Sequence, residues 1–207
     1  MLDDSKISSA SGEPLWPESV EAIEYLRTRA GNMSLKGLRE RVRATADELE
    51  STAASVNESE ARTRPILGKW TIAEVVDHIA QTQVRAAEEL RHLLVGRRPP
   101  GPPVYDGLRS GAAAWAPWAE LMDGLKSANR ELIALLDSIP DEAAIPAVAT
   151  APSVLVIHRE PSATQIFSVE LNWKEYALVQ RLHLIEHRNQ IRKLREALEE
   201  KKRGRDG

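Results

Sequence analysis

Residues 172–201 read NWKEYALVQRLHLIEHRNQIRKLREALEEK, a stretch that predicts one long helix. Asn172 is a preferred N-cap residue, and Glu175 follows it at the spacing of a capping box. At about 100° per residue, one side of this helix carries six residues within about 40° of a single direction. They are Tyr176, Gln180, His183, His187, Gln190 and Leu194. This side is apolar at its ends and polar between them, so its burial requires partners for the polar groups.

Three further segments show helical periodicity, because their apolar residues recur every three or four positions. They run from Leu35 to Val56, from Ile72 to Leu94 and from Ala113 to Ile139. Thr71 and Glu74 form a capping-box pattern at the start of the second segment. Pro117 is tolerated only in a first turn, so the third helix is expected to start as late as Ala116. Four long helices predict an all-α protein built as a four-helix bundle.

Residues 141–170 lack this periodicity and form an insert before the last helix. Two runs rich in β-branched residues, Val154–Ile157 and Gln165–Val169, flank a turn predicted at residues 160–163. This pattern predicts a β-hairpin. The expected organisation is an N-terminal extension over residues 1–32, with a short helix after Pro17, then the bundle over 33–200 and a basic tail over 201–207.

Composition narrows the class of protein. The chain has 207 residues, 42% of them hydrophobic, and a formal net charge of −3, which suits one globular domain with an extension. Slight acidity argues against a nucleic-acid partner. The polar start and the lack of an apolar run of about 20 residues argue against a signal peptide and a membrane span, so a cytoplasmic location is expected. With no cysteine, any metal must be bound by His, Asp or Glu.

The histidines are placed as metal ligands would be. His183 and His187 are one helical turn apart, with Cβ atoms about 6 Å from each other, so both rings can bind one ion. A third ligand must come from another helix, and His78 is the natural donor because it lies beside an apolar stripe. The residues alone leave a second interpretation open, in which the histidine pair forms a hydrogen-bonded core network with Gln180 and Gln190.

Two segments resemble signatures of the DinB-like superfamily. Residues 69–79, KWTIAEVVDHI, are similar to its second-helix motif, a Trp before a helix that bears one metal-binding His. Residues 183–191, HLIEHRNQI, are similar to its fourth-helix motif, a His pair followed by Gln-Ile. The resemblance covers about residues 33–200. It implies a four-helix bundle of up-down-down-up order and a divalent metal, zinc or nickel, on His78, His183 and His187.

The resemblance also implies a small-molecule substrate and a homodimer. It implies two activities, a metal-dependent hydrolase and a transferase that uses a low-molecular-weight thiol such as bacillithiol or mycothiol. Glu74 and Glu186 are candidates for a general base or for orienting an imidazole. Tyr176 and Gln190 lie on the polar side of the last helix and are candidates for lining the substrate. A non-catalytic bundle, in which the histidines are structural or bind a small ligand, is the alternative function.

Overall fold

The computed structural model describes residues 7–9, 14–102, 107–146, 149–159 and 163–203. Within these residues the chain forms six α-helices. They are α1 (Pro17–Asn32), α2 (Leu35–Ala54), α3 (Glu58–Arg62), α4 (Ile72–Leu94), α5 (Trp118–Asp137) and α6 (Trp173–Arg203). None of the described helices is both long and apolar enough to cross a membrane.

The four predicted long helices are confirmed as α2, α4, α5 and α6. The start of α5 differs from the prediction, which placed it between Ala113 and Ala116. Residues Ala112–Ala114 form a separate 3₁₀ turn, and Pro117 is the N-cap residue, so the α-helix begins at Trp118. Proline fixes its own backbone and has no N–H, which suits a position just outside the first helical turn.

The predicted hairpin is confirmed as β2 (Ala151–Arg159) and β3 (Ala163–Leu171), an antiparallel pair before α6. Both strands are longer than predicted, and turn residues 160–162 lie outside the described part of the chain. A third strand, β1 (Ile7–Ser9), pairs antiparallel with the other edge of β3, giving the order β1-β3-β2. On β3, Phe167, Val169 and Leu171 alternate toward the buried face.

The described residues pack as two compact units. The sheet unit consists of the described residues within Met1–Leu38, Glu88–Gly107 and Ile139–Val179. The bundle unit consists of those within Arg39–Ala87, Leu108–Ser138 and Gln180–Gly207. The bundle unit contains parts of all four long helices around an apolar core, in which Leu49, Ile72 and Leu125 are fully buried.

A buried glutamine organises the sheet unit. The Gln165 Oε1 atom accepts hydrogen bonds from the Trp16 backbone N–H at 2.9 Å and from the Ser19 hydroxyl at 2.7 Å. Its Nε2 group donates to the Pro14 carbonyl at 3.0 Å. The start of α1, a helix of 16 residues, is thereby fixed to strand β3.

Contacts within the bundle unit set the helix directions. They are Arg39–Leu136 and Glu50–Asn129 for α2 with α5, Glu48–Arg188 and Glu60–Lys202 for the α2–α3 segment with α6, and Trp70–His187 and His78–His183 for the α4 segment with α6. In the contacts of α2 with α5 and of α4 with α6, one residue number rises as the other falls, so these pairs are antiparallel. In the contacts of the α2–α3 segment with α6, both numbers rise together, so this pair is parallel. Helices α2 and α6 therefore share one direction and α4 and α5 share the other, which is the up-down-down-up order.

The predicted capping box at the start of α4 is present. The Thr71 hydroxyl accepts from the Glu74 backbone N–H at 3.1 Å, and the Glu74 carboxylate accepts from the Thr71 backbone N–H at 2.6 Å. Two backbone donors at the helix start are thus satisfied by side chains, which fixes where α4 begins.

Replacing Thr71 tests this cap. We expect Thr71→Val to lower the free energy of unfolding by about 1 kcal/mol, because valine keeps the shape of threonine but cannot accept the Glu74 N–H. Thr71→Ser keeps the accepting oxygen and is expected to stay closer to the parent. Urea unfolding of the three proteins measures the difference. Equal losses in both variants would contradict a capping role.

Candidate metal centre

The three predicted histidines converge within the bundle unit. His78 comes from α4, and His183 and His187 come from successive turns of α6. The Nε2 atom of His183 lies 3.1 Å from Nε2 of His78 and 2.9 Å from Nε2 of His187. Their candidate ligand atoms all lie within 4.8 Å of one another. His78 and His187 are buried, and His183 is half-buried.

Hydrogen bonds at the far side of two rings assign their tautomers. His78 Nδ1 lies 2.8 Å from the Leu108 carbonyl oxygen, and His187 Nδ1 lies 2.7 Å from Gln190 Oε1. Both partners are oxygen acceptors, so each Nδ1 carries the proton and donates it. Each Nε2 therefore presents a lone pair toward the centre of the cluster. This is the tautomer in which a metal-bound histidine is held by an outer acceptor.

The geometry of the cluster fits a divalent cation. Two nitrogens bound to one tetrahedral zinc lie about 3.3 Å apart, close to the 3.1 Å and 2.9 Å that separate His183 Nε2 from the other two Nε2 atoms. Hydrogen bonds among the rings cannot replace the ion fully, because two of the three Nε2 atoms hold no proton and His183 Nε2 carries at most one. Three lone pairs around a cation remove this conflict.

Burial keeps the imidazoles in the form that binds metal. Burial lowers the pKa of His78, and neighbouring His187 lowers it further, against smaller opposing effects of the Leu108 hydrogen bond and of Glu186. The pKa of His183 is lowered well below its usual value by burial and then by the other two rings. Burial also lowers the pKa of His187 despite its bond to Gln190. The three rings are therefore neutral at pH near 7.

Asp77 holds the loop that provides the Leu108 carbonyl. This buried carboxylate, one residue before His78, accepts from the Ser110 hydroxyl at 2.6 Å and from the Ser110 backbone N–H at 3.4 Å. It also accepts from the Gly111 backbone N–H at 3.1 Å. Asp77 thus fixes the loop whose carbonyl orients His78, the next residue on α4.

Trp70 forms one side of the cluster. Its ring is nearly parallel to that of His187, with centroids 6.4 Å apart, and meets the His78 ring edge-on at 5.1 Å. The Arg109 guanidinium lies over Trp70 at 4.9 Å from the ring centroid. This positive charge contributes to lowering the pKa of His78, after the larger effects of burial and His187.

The two candidate carboxylates occupy different surroundings. Glu74 accepts from Thr71 and from the Arg64 guanidinium, whose Nη2 lies 2.9 Å from its Oε2 atom. Burial would raise the pKa of Glu74, but these hydrogen bonds outweigh it and the pKa is lowered. Glu186 is exposed on α6, and its negative charge opposes the lowering of the His78 pKa by a small amount. In the structure, the Nδ1 protons of His78 and His187 go to Leu108 and Gln190, and a catalytic role for either carboxylate stays a prediction.

The two predicted substrate-lining residues also have partners. Gln190 accepts the His187 Nδ1 proton and so belongs to the outer contacts of the cluster. Tyr176 is buried in the sheet unit, where its hydroxyl donates to Glu89 at 2.5 Å. A substrate contact by either residue stays a prediction.

Sequence reasoning missed the outer contacts of His78. Leu108 acts through its backbone carbonyl, which leaves no signal in a sequence. Asp77 had a detectable signal, because it is a charged residue next to a candidate ligand in the otherwise apolar run of residues 75–80. Trp70 belongs to one of the motifs, but its contacts with the rings of His78 and His187 depend on the fold.

The family follows from a direct comparison. A model of the DinB superfamily matches residues 41–191, most of the chain, including both motifs and all three histidines. The chain belongs to the DinB superfamily. A search of curated proteins finds no sequence match for this DinB superfamily chain.

Solved structures share the fold of this DinB superfamily chain. The mycothiol-dependent maleylpyruvate isomerase superposes with a TM-score of 0.54 at 12% identity, covering 77% of this chain and 61% of the isomerase. A mutant of that enzyme gives 0.55 at 11% identity with the same coverage. YfiT from Bacillus subtilis, described as a probable metal-dependent hydrolase with an unusual four-helix bundle topology, gives 0.53 at 16% identity, covering 79% of this chain and 87% of YfiT. The chain thus spans about three-fifths of the isomerase's length.

Proposed function

We propose that this protein is a metal-dependent enzyme whose site is formed by His78, His183 and His187 with one divalent cation, zinc or nickel. The observation that carries the proposal is the convergence of three Nε2 atoms, two of which are held as lone-pair donors by outer hydrogen bonds. Lewis acidity that activates a bound water or thiol at neutral pH is the chemistry that such a cation supplies.

An open site supports catalysis over a purely structural role. Structural zinc is almost always bound by four protein ligands, whereas catalytic zinc keeps a position for water or substrate beside three. Among the described residues, the cluster has three members, and His183 is only half-buried. The apolar core beside it, with Leu49 and Leu125 fully buried, gives the fold stability that does not depend on an ion.

The nucleophile is proposed to be water or a low-molecular-weight thiol acting on a small-molecule substrate. One similar structure is named as a mycothiol-dependent isomerase and another as a probable metal-dependent hydrolase, so both classes of reaction deserve an assay. The chain's own contribution is common to both. It keeps the imidazoles neutral, fixes two of their tautomers and walls the cluster with Trp70. A homodimer and a cytoplasmic location remain predictions from the sequence.

Metal analysis of the purified protein tests the proposal. We expect about one zinc or nickel ion per chain by mass spectrometry, because three imidazoles define one site.

Cobalt-substituted protein should develop a thiolate-to-cobalt charge-transfer band with bacillithiol or mycothiol if a thiol is the nucleophile. Ester hydrolysis without any thiol would instead favour water. Chelation should abolish turnover and leave the far-ultraviolet circular dichroism unchanged. Protein that takes up no metal, or that unfolds on chelation, would overturn the proposed function.

A further inference from the structure

Two buried polar atoms beside the cluster lack partners. His183 Nδ1 and Gln180 Oε1 are both inaccessible to solvent and make no hydrogen bond. Gln180 is only 7% exposed as a whole residue. A buried polar atom that stays unsatisfied destabilises the folded protein. His183 Nδ1 carries a proton and is a donor when Nε2 of the same ring faces a cation. Gln180 Oε1 is an acceptor, so the two atoms can form one hydrogen bond.

Their positions on α6 bring the two groups within reach of each other. Gln180 precedes His183 by three residues, a spacing at which side chains are neighbours on a helix surface. Helical side chains lean toward the N-terminus, so the His183 ring lies over the turn that carries Gln180. One turn later on α6, His187 Nδ1 and Gln190 Oε1 form such a pair at the same three-residue spacing, with the histidine first. Their hydrogen bond is 2.7 Å long.

We propose that Gln180 is a positioning residue for His183, whose Nδ1 proton its Oε1 atom accepts after rotation of the amide. The bond holds the Nε2 lone pair toward His78 and His187. Each ring of the cluster then has one oxygen acceptor behind it: Leu108, Gln180 and Gln190. This inference rests on the proposed function, because only a cation at the cluster requires the Nε2 atom of His183 without its proton.

Zinc affinity in matched variants tests the inference. Gln180→Met keeps the length of the side chain and removes the acceptor, and we expect its affinity for zinc, measured by chelator competition, to fall by about tenfold or more. Gln180→Glu keeps an oxygen at the same place and should bind zinc at least as tightly as the parent. Gln83 is the control, because it is fully buried on α4 and its amide is also unpartnered. Gln83→Met should change the affinity by less than about twofold.

A spectroscopic signature separates positioning from loss of packing. Zinc on Nε2 fixes the Nδ1–H tautomer of His183 in every variant, so only the hydrogen bond of that proton can differ. NMR of the zinc-bound proteins should show the His183 Nδ1–H proton shifted downfield and slow to exchange in the parent and in Gln180→Glu, and shifted upfield with faster exchange in Gln180→Met. Parent-like zinc affinity and a parent-like Nδ1–H shift in Gln180→Met would overturn the inference, as would an equal loss of affinity in Gln83→Met. A parent protein that binds no zinc would overturn the proposed function instead, and the two failures are thus distinguishable.

Discussion

Replacing His183 with alanine is expected to abolish metal binding at the cluster. The Nε2 atom of His183 lies within 3.1 Å of the Nε2 atoms of both other rings, and its loss leaves two histidines on different helices. Removing only an outer partner of a ligand costs about 10–100-fold in metal affinity, and the loss of the ligand itself should exceed about a hundredfold. Zinc titration against a chelator measures this effect, and any turnover established for the parent should disappear with it.

The fold is expected to survive this substitution. His183 is half-buried and contributes to a polar cluster, whereas the bundle core is formed by apolar residues such as Ile72 and Leu125. His92→Ala is the matched control, because His92 lies in the last turn of α4 and outside the cluster. It should keep the parent's metal content. Stoichiometric zinc retained by His183→Ala would contradict the assignment of this ligand.

Asp77→Ala is expected to cause the largest loss of stability among the residues around the cluster. The change removes the buried carboxylate that accepts three hydrogen bonds from Ser110 and Gly111, two residues that are themselves exposed. A free-energy loss of about 1.5–3 kcal/mol follows, because hydrogen bonds to charged groups are worth more than neutral ones, while water partly replaces the acceptor of the exposed donors. Zinc affinity should fall as well, since the loop that presents the Leu108 carbonyl to His78 is no longer held.

Urea unfolding of the metal-free protein isolates the effect of Asp77 on stability. Asp123→Ala is the control, because Asp123 is exposed on α5, and its free energy of unfolding should stay close to that of the parent. An Asp77→Ala protein as stable as the Asp123 variant would show that the loop is held by other contacts.

The histidine cluster could be predicted because helical period alone places its members. His183 and His187 fall on the buried side of α6 whatever that side packs against, and Thr71 with Glu74 fixes where α4 begins and so how His78 is turned. The family motifs carry the same spacing, which is why the resemblance and the periodicity led to one set of residues.

The outer contacts could not be predicted because they depend on groups without a local pattern. The Leu108 carbonyl reaches His78 only through the course of a loop, and any residue type provides a carbonyl. Strand β1 could not be predicted either, because three residues are too few to show a period. It forms by pairing with an edge of β3, which lies far away in the sequence. The start of α5 was set by Pro117, but the 3₁₀ turn before it is a choice among near-equal local conformations.

The pairing of β1 with β3 covers a strand edge that could otherwise pair with another chain. With β2 on one side and β1 on the other, β3 has neighbours along both of its hydrogen-bonding edges over residues 167–169. An uncovered strand edge is a template onto which another polypeptide can add. Three residues near the start of the sequence therefore shield part of one edge of the central strand, β3, from intermolecular strand addition.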